Sequence, residues 1–235
     1  MYKRILLKLS GEALSSDAET YDTDELAALA QQLKKLNTQG IEIAIVVGGG
    51  NVIRGKFAVK IGLPRVKADQ MGMLATLMNA LALSGALQHA GVPSAVQTAI
   101  EAPRIAAIVN AEEAVNAMQQ GKIVIYGGGT SNPYFSTDTT AALRAAEIGA
   151  EIILMAKNGV DGVYSADPKA DPNAIRFDHL TYREMIDRGL GVIDLTAAAL
   201  CQDTGIPAIV FDMKAPDIFS RIVSGEKAGT IITVR

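Results

Sequence analysis

Lys8 closes an apolar run, residues 5–9, directly before Ser10-Gly11. A lysine in such a place is costly unless paired or aimed at an anion, although a strand-end lysine can also snorkel to water. Two further apolar runs end in glycines. Residues 43–47 open into Gly48-Gly49-Gly50-Asn51, and residues 123–126 into Gly127-Gly128-Gly129-Thr130-Ser131-Asn132-Pro133. Turns of this kind let bare backbone N–H groups approach an anion that any Cβ would hold off. One such turn can be only a turn. Two of them beside a lysine suggest a single site with two phosphate groups to hold. Arg54, four residues after Gly50, could fork onto phosphate oxygens or stand as a solvated arginine at a helix start.

The run Ser136-Thr137-Asp138-Thr139-Thr140 precedes an alanine-rich helical pattern. It reads as a helix N-cap, and a helix N-terminus also offers free N–H groups to anions. Asp138 could there hold a lysine or a hydrated metal. Downstream, residues 158–168 form a turn-dense loop in which Tyr164 has the character to lie against a purine, with Asp167 near a ribose. Neither glycine turn matches the Walker A or dinucleotide pattern, which excludes those two phosphate-binding devices. His89 and His179 are too far apart in sequence to suggest a metal site and read as surface residues. Neither has a candidate nucleophile nearby, so no Ser-His-Asp arrangement is suggested.

The elements that must position these residues alternate. Strands are expected over 5–9, 41–47, 123–126, 152–155, 208–211 and 230–234. Between them, Asp24 could cap a helix carrying Leu26, Leu29, Leu33 and Leu36, with Gly40 as its stop. Further helices are expected over 69–90, 101–119, 138–148, 183–188, 196–204 and 217–223. Such alternation predicts an α/β fold with a mostly parallel sheet covered on both faces. A soft boundary near Gly149 divides two lobes, about 1–150 and 151–235, of a single domain. Residues 71–87 are apolar on nearly all sides, which suits either a central core helix or a homo-oligomer contact.

Composition bounds the rest. The chain has 235 residues, 49% of them hydrophobic, and a net charge of −3. Those values suit one large buried core and give no electrostatic case for nucleic acid or an anionic membrane. No uninterrupted apolar stretch of membrane-spanning length and no secretory signal are read from the sequence. The only cysteine, Cys201, lies in an apolar run and reads as an inert packed thiol in a reducing cytoplasm.

Taken in order, these motifs resemble the bacterial UMP kinases of the amino acid kinase superfamily. The resemblance rests on Lys8-Leu9-Ser10-Gly11-Glu12-Ala13-Leu14, the Gly48–Asn51 turn with Arg54-Gly55, and Asp69-Gln70-Met71-Gly72-Met73-Leu74-Ala75-Thr76. It extends through residues 132–145 and through Val160-Asp161-Gly162-Val163-Tyr164 with Ala166-Asp167-Pro168. It implies a three-layer α/β/α sandwich and transfer of a phosphoryl group from ATP to UMP. It also implies Mg²⁺ carried mainly on the phosphates and a homohexamer built from dimers.

By position, the resemblance places Lys8, Leu9, Ser10, Gly11, Gly50 and Arg54 along the ATP phosphates, with Asn158, Tyr164 and Asp167 holding the ATP nucleoside. Gly49 would face the UMP phosphate and Asp69 the UMP ribose. Thr130, Ser131, Asn132, Pro133, Tyr134, Phe135, Ser136 and Thr137 would wrap the UMP base and phosphate. Lys8, Arg54 and Asp138 would be the catalytic set, and Lys157 is a candidate second lysine. The chain departs from the family pattern at Ser15-Ser16-Asp17-Ala18-Glu19-Thr20, over 102–119, and at Ser84, Gly85 and Gln88, positions the resemblance ties to GTP activation. Rival readings are a superfamily kinase for a small carboxylate or phosphate, such as an acetylglutamate or isopentenyl phosphate kinase, and a protein that binds ATP without turnover.

Overall fold

The computed structural model describes residues 2–53, 62–168, 170–215 and 217–235. Nine strands form one sheet in the order β4-β3-β5-β2-β1-β6-β10-β11-β9. They are β1 (Arg4–Leu9), β2 (Glu42–Val47), β3 (Ser94–Thr98), β4 (Ala107–Ile108), β5 (Ile123–Gly127), β6 (Ile152–Lys157), β9 (His179–Thr181), β10 (Ala208–Asp212) and β11 (Thr230–Thr233). A short hairpin, β7 (Val163–Tyr164) and β8 (Arg176–Phe177), stands apart. Every pairing in the large sheet is parallel except β10 with β11.

Strand alternation divides the core into two layers. Ile5, Leu7, Leu9, Ile43, Ile45, Val47, Ile152 and Leu154 face one side. They pack there against α1 (Thr23–Asn37), α2 (Arg65–His89) and α7 (Ile218–Val223). Leu6, Ala44, Val46, Val124, Ile153 and Met155 face the other. That side is covered by α3 (Ala111–Gln119), α4 (Thr137–Ile148), α5 (Tyr182–Asp187) and α6 (Leu195–Thr204). A parallel sheet buried on both faces has no polar side, which is why its strands read as unbroken apolar runs. The expected three-layer α/β/α sandwich is the fold.

The local differences have local causes. The cap of α1 is Asp22, whose Oδ1 accepts the amides of Asp24 and Glu25, so the helix opens before the expected Asp24. The helix expected over 101–119 begins only at Ala111. Asn110 caps it through the Glu113 amide, and its own amide and carbonyl are clasped by the Gln97 side chain. That clasp holds the preceding residues alongside β3 as the edge strand β4. Strand β3 itself, Ser-Ala-Val-Gln-Thr, is too polar to stand out as a strand in sequence.

Among the described helices α2 alone is long and apolar enough to cross a membrane, a property the interrupted run did not suggest. Half of its most apolar window is buried inside the fold. Ala80, Leu83 and Leu87 enter the core, while Leu74, Met78 and Leu81 face outward.

Cys201 is buried on the inner side of α6, and burial pushes its thiol up to about 11. It should resist iodoacetamide at neutral pH in the native protein and react on denaturation; rapid native labelling would contradict this packing. Leu83→Ala should destabilise the fold by about 2–5 kcal/mol in denaturant titrations, the range for a fully buried leucine, and a loss under ~0.5 kcal/mol would deny it a core role.

Candidate functional site

Because β1, β2, β5, β6 and β10 run parallel, their carboxyl ends share one edge of the sheet, where open α/β folds bind ligands. That edge carries Lys8, both glycine turns and Lys157. Helix α4 aims its N-terminus at the same place. Ser136 caps it by accepting the Thr139 amide at 3.1 Å, which sets Asp138 in the first turn.

Asp138 sits between two lysines. Its Oδ1 lies 2.8 Å from Lys8 Nζ and its Oδ2 lies 3.8 Å from Lys157 Nζ. All three side chains are largely buried. Lys157 also donates to the Val192 carbonyl at 2.7 Å. Burial pushes the Lys157 ammonium below its ordinary value and Lys8 adds to this, while the Asp138 carboxylate opposes both. Asp138 is thus shared by two ammonium groups, with the Asp194 carboxylate acting on Lys157 as well. Each ammonium has three protons to share, some of them available to an anion at the strand ends. Lys157, raised in sequence only as a candidate, thus joins Lys8 and Asp138.

A cavity of about 540 Å³ opens beside this cluster, between the glycine turns and α2. Of the residues expected at the acceptor, it gathers Gly49, Asp69, Asn132, Phe135, Ser136 and Thr137, together with Gly50, which was expected along the ATP phosphates. The Asp69 carboxylate accepts from Arg65 Nε at 2.9 and 3.0 Å and from the Tyr134 amide at 2.8 Å. Tyr134 holds a left-handed backbone (φ 73°) and its ring lies under the Arg65 guanidinium, so it reaches the site through its amide. Thr130 and Ser131 border a separate hollow of about 380 Å³ with Arg144 and Glu147. Pro133 borders neither.

The glycines do different things. A Cβ on Gly50 would meet nothing within 4 Å, so that residue presents open backbone. At Gly49 it would lie 2.9 Å from Ala75 Cβ, so this glycine is also required for α2 to pack. Among the described residues neither amide is given to another protein group. At Gly11 a Cβ would fall 2.8 Å from the Gly50 amide, which locks the first motif against the first glycine turn.

On the side expected for ATP, Ser10 Oγ accepts the Glu12 amide and caps the turn Gly11–Leu14. Leu9 is placed differently from its expected role. Its side chain lies in the core, and its carbonyl takes the Gly48 amide at 2.9 Å. Asn158 borders a hollow of about 400 Å³ with Glu12, Met213 and Lys214. Tyr164 and Asp167 stand outside that hollow. The Tyr164 hydroxyl donates to Asp161 at 2.7 Å, and the Asp167 carbonyl accepts the Ala170 and Asp171 amides. Arg54 lies outside the described residues.

Sequence reasoning passed over four residues. Asp194 caps α6 and accepts from the hydroxyls of Ser136 and Thr139, tying α6 to the start of α4. Burial pushes its carboxyl up, but the hydrogen bonds outweigh this and hold it below the ordinary range. Its place before an apolar helical run was a readable cap signal. Asp212 Oδ1 accepts the Gly159 and Lys214 amides and joins two loops beside the Asn158 hollow. Thr76 and Asn79, buried polar residues in an apolar helix, touch the glycine turns. Ser84, one of the divergent positions, is buried with its hydroxyl 2.9 Å from that of Ser94. Among the described residues no three His, Cys, Asp or Glu side chains gather as a metal site.

Known proteins share this architecture and sequence. The chain is 50% identical over 232 residues to the uridylate kinase of Pediococcus pentosaceus, covering 98% of this chain and 96% of that one. The crystal structure of UMP kinase from Bacillus anthracis superposes with a TM-score of 0.96 at 37% identity, over 99% of this chain and 96% of the other. UMP kinase from Ureaplasma parvum gives 0.93 at 39% identity, over 99% of each chain. Residues 3–212 match the family model described as the amino acid kinase family. With two lysines flanking Asp138 and this extent of likeness, the chain belongs to the amino acid kinase family.

Proposed function

We propose that this chain is a UMP kinase, transferring the γ-phosphoryl group of ATP to UMP and releasing ADP and UDP. The observation that carries the reading is Asp138 held between Lys8 and Lys157 beside a cavity bordered by the first glycine turn and the 132–137 loop. The 50% identity to a uridylate kinase supports UMP as the acceptor.

The chemistry asks little of the protein beyond charge and alignment. The second pKa of a nucleoside monophosphate is ~6, so the acceptor is largely dianionic at neutral pH and needs no general base. An oxygen of the UMP phosphate forms the new bond to the γ-phosphorus while the bond to the oxygen bridging ADP breaks. The electron pair of the broken bond leaves with ADP, and the reverse reaction follows the same path. Two anions must be brought into line and their charge balanced as they meet. Lys8 and Lys157 supply that charge, with Asp138 fixing their positions. The amides of Gly49 and Gly50 take phosphate oxygens. Mg²⁺ would ride on the ATP phosphates, because Asp138 faces the lysines and Asp194 the hydroxyls of α4.

Asp69 takes the UMP ribose, and Asn132, Phe135, Ser136 and Thr137 enclose the rest of that nucleotide; Thr130, Ser131, Pro133 and Tyr134 complete the loop. Ser10 and Gly11 approach the ATP phosphates with Arg54, and Asn158, Tyr164 and Asp167 serve its nucleoside. On this reading a UMP-binding lobe spans about 1–150 and an ATP-binding lobe about 151–235, with Lys8, Ser10, Gly11 and Arg54 serving the ATP phosphates from the first lobe. The outward face of α2, with Leu74 and Met78 exposed, suits a dimer contact within a homohexamer in the cytoplasm.

ADP release with Mg-ATP should be selective for UMP over CMP, dUMP, AMP and N-acetylglutamate. Binding of ATP with no turnover on any acceptor would favour a non-catalytic protein instead. Lys8→Ala should lower kcat by about 10²–10³-fold, the range for removing one preorganised charge-stabilising donor, with a much smaller change in UMP affinity. Unchanged turnover would remove Lys8 from catalysis. Asp69→Ala should raise KM for UMP, and an effect on ATP alone would contradict its place at the ribose.

A further inference from the structure

We propose that residues 72–79 of α2 act as a ruler that sets the two glycine turns in register, with Thr76 and Asn79 as its positioning residues. The inference rests on the phosphoryl-transfer reading above and assigns a role to two side chains whose hydrogen bonds go to the glycine turns, although Thr76 also borders the 540 Å³ cavity.

Asn79 is fully buried in a part of the helix, residues 73–83, that apart from Thr76 holds only alanine, leucine and methionine around it. Its Nδ2 donates to the Gly48 carbonyl at 2.6 Å and to Asn51 Oδ1 at 2.7 Å. Asn51 in turn donates to the Thr20 carbonyl at 2.9 Å, which ties the first turn to the loop before α1. One helical turn earlier, Thr76 Oγ1 accepts the Gly128 amide at 2.9 Å and donates to the Met73 carbonyl at 2.7 Å. The same stretch also touches both turns sterically. A Cβ on Gly49 would lie 3.0 Å from the Gly72 carbonyl, and one on Gly127 would lie 2.7 Å from Leu77 Cα.

The two turns leave neighbouring strands, β2 and β5, whose pairing ends at Val46 with Tyr126. Beyond that point no ladder hydrogen bond holds them to each other, and α2 hydrogen-bonds to both turns while α4 only approaches them through Thr137 and Thr140. A rigid helix gripping each turn by a polar bond and a glycine contact fixes their separation. In-line transfer depends on such a distance, since a misplacement of about 1 Å can cost roughly 10²-fold in rate.

The test compares Thr76→Val, Thr76→Ser, Asn79→Ala and the double variant Thr76→Val/Asn79→Ala in steady-state kinetics with Mg-ATP and UMP. Melting temperatures are recorded so that only folded samples are read. Thr76→Val should lose about tenfold or more in kcat, and Thr76→Ser should restore it to within about threefold, because the hydroxyl is what matters. A ruler broken at one grip is already out of register, so the double variant should lose little beyond the worse single variant. Losses that multiply would indicate two independent packing defects and overturn the proposal. So would kcat within about threefold of wild type in folded Thr76→Val. If Asn79→Ala does not fold, the Thr76 pair decides alone. Wild-type protein inactive on every acceptor would sink the kinase reading. Calorimetric titration of UMP into the same variants would then decide the ruler, which predicts weakened binding in Thr76→Val and recovery in Thr76→Ser; unchanged binding would overturn it.

Discussion

The buried carboxylate of Asp138 is the charge on which the site turns. Lys8 and Lys157 emerge from β1 and β6, strands whose other residues are almost wholly apolar and enclosed. Removing an ammonium from water is expensive, and two close together repel. A carboxylate between them makes both tolerable, and Asp194 acts on Lys157 from the α6 side. The carboxylate is itself held at the first turn of α4, where the helix dipole favours a negative group. Asp194 adds a further tie by accepting from Ser136 and Thr139, so the start of α4 is fixed from the α6 side as well.

The geometry of the sheet makes this cluster possible. Parallel strands deliver their carboxyl ends to one edge, and residues distant in sequence meet there without long loops. Lys8, the Gly48–Asn51 turn, the Gly127–Gly129 turn and Lys157 all lie one step past the last paired residues of their strands or at them. Helix α2 closes the arrangement by lying across two of those ends. The contacts at Gly49 and Gly127 show that glycine there serves packing as well as ligand access.

Much of this was legible in sequence, for identifiable reasons. The apolar runs of β1, β2, β5 and β6 announced themselves because both faces of a parallel sheet are buried. The glycine turns, Lys8 and the Ser136–Thr140 cap were visible because each is a local signal. What was not legible has equally physical reasons. Strand β3 and edge strand β4 carry polar and short sequences, and their strand character comes from pairing with β5 and from the Gln97–Asn110 clasp. The resemblance places Leu9 along the ATP phosphates, and the sequence did not show that strand alternation turns its side chain into the core. Thr130 and Ser131, adjacent in sequence to residues that line the 540 Å³ cavity, border another hollow because the left-handed backbone at Ser131 turns the chain.

From the sequence came the fold class and the candidacy of Lys8, Asp138 and the glycine turns, because periodicity, capping and glycine punctuation are properties of short stretches of chain. Tertiary structure alone decided that Asp138 faces two lysines, that Asp194 and Asp212 join separate elements, and that Thr76 and Asn79 grip the glycine turns. Those are contacts between residues tens to more than a hundred positions apart. A buried Asn or Asp carries no sign in sequence of which distant amide or ammonium will satisfy it; only the packed chain supplies the partner.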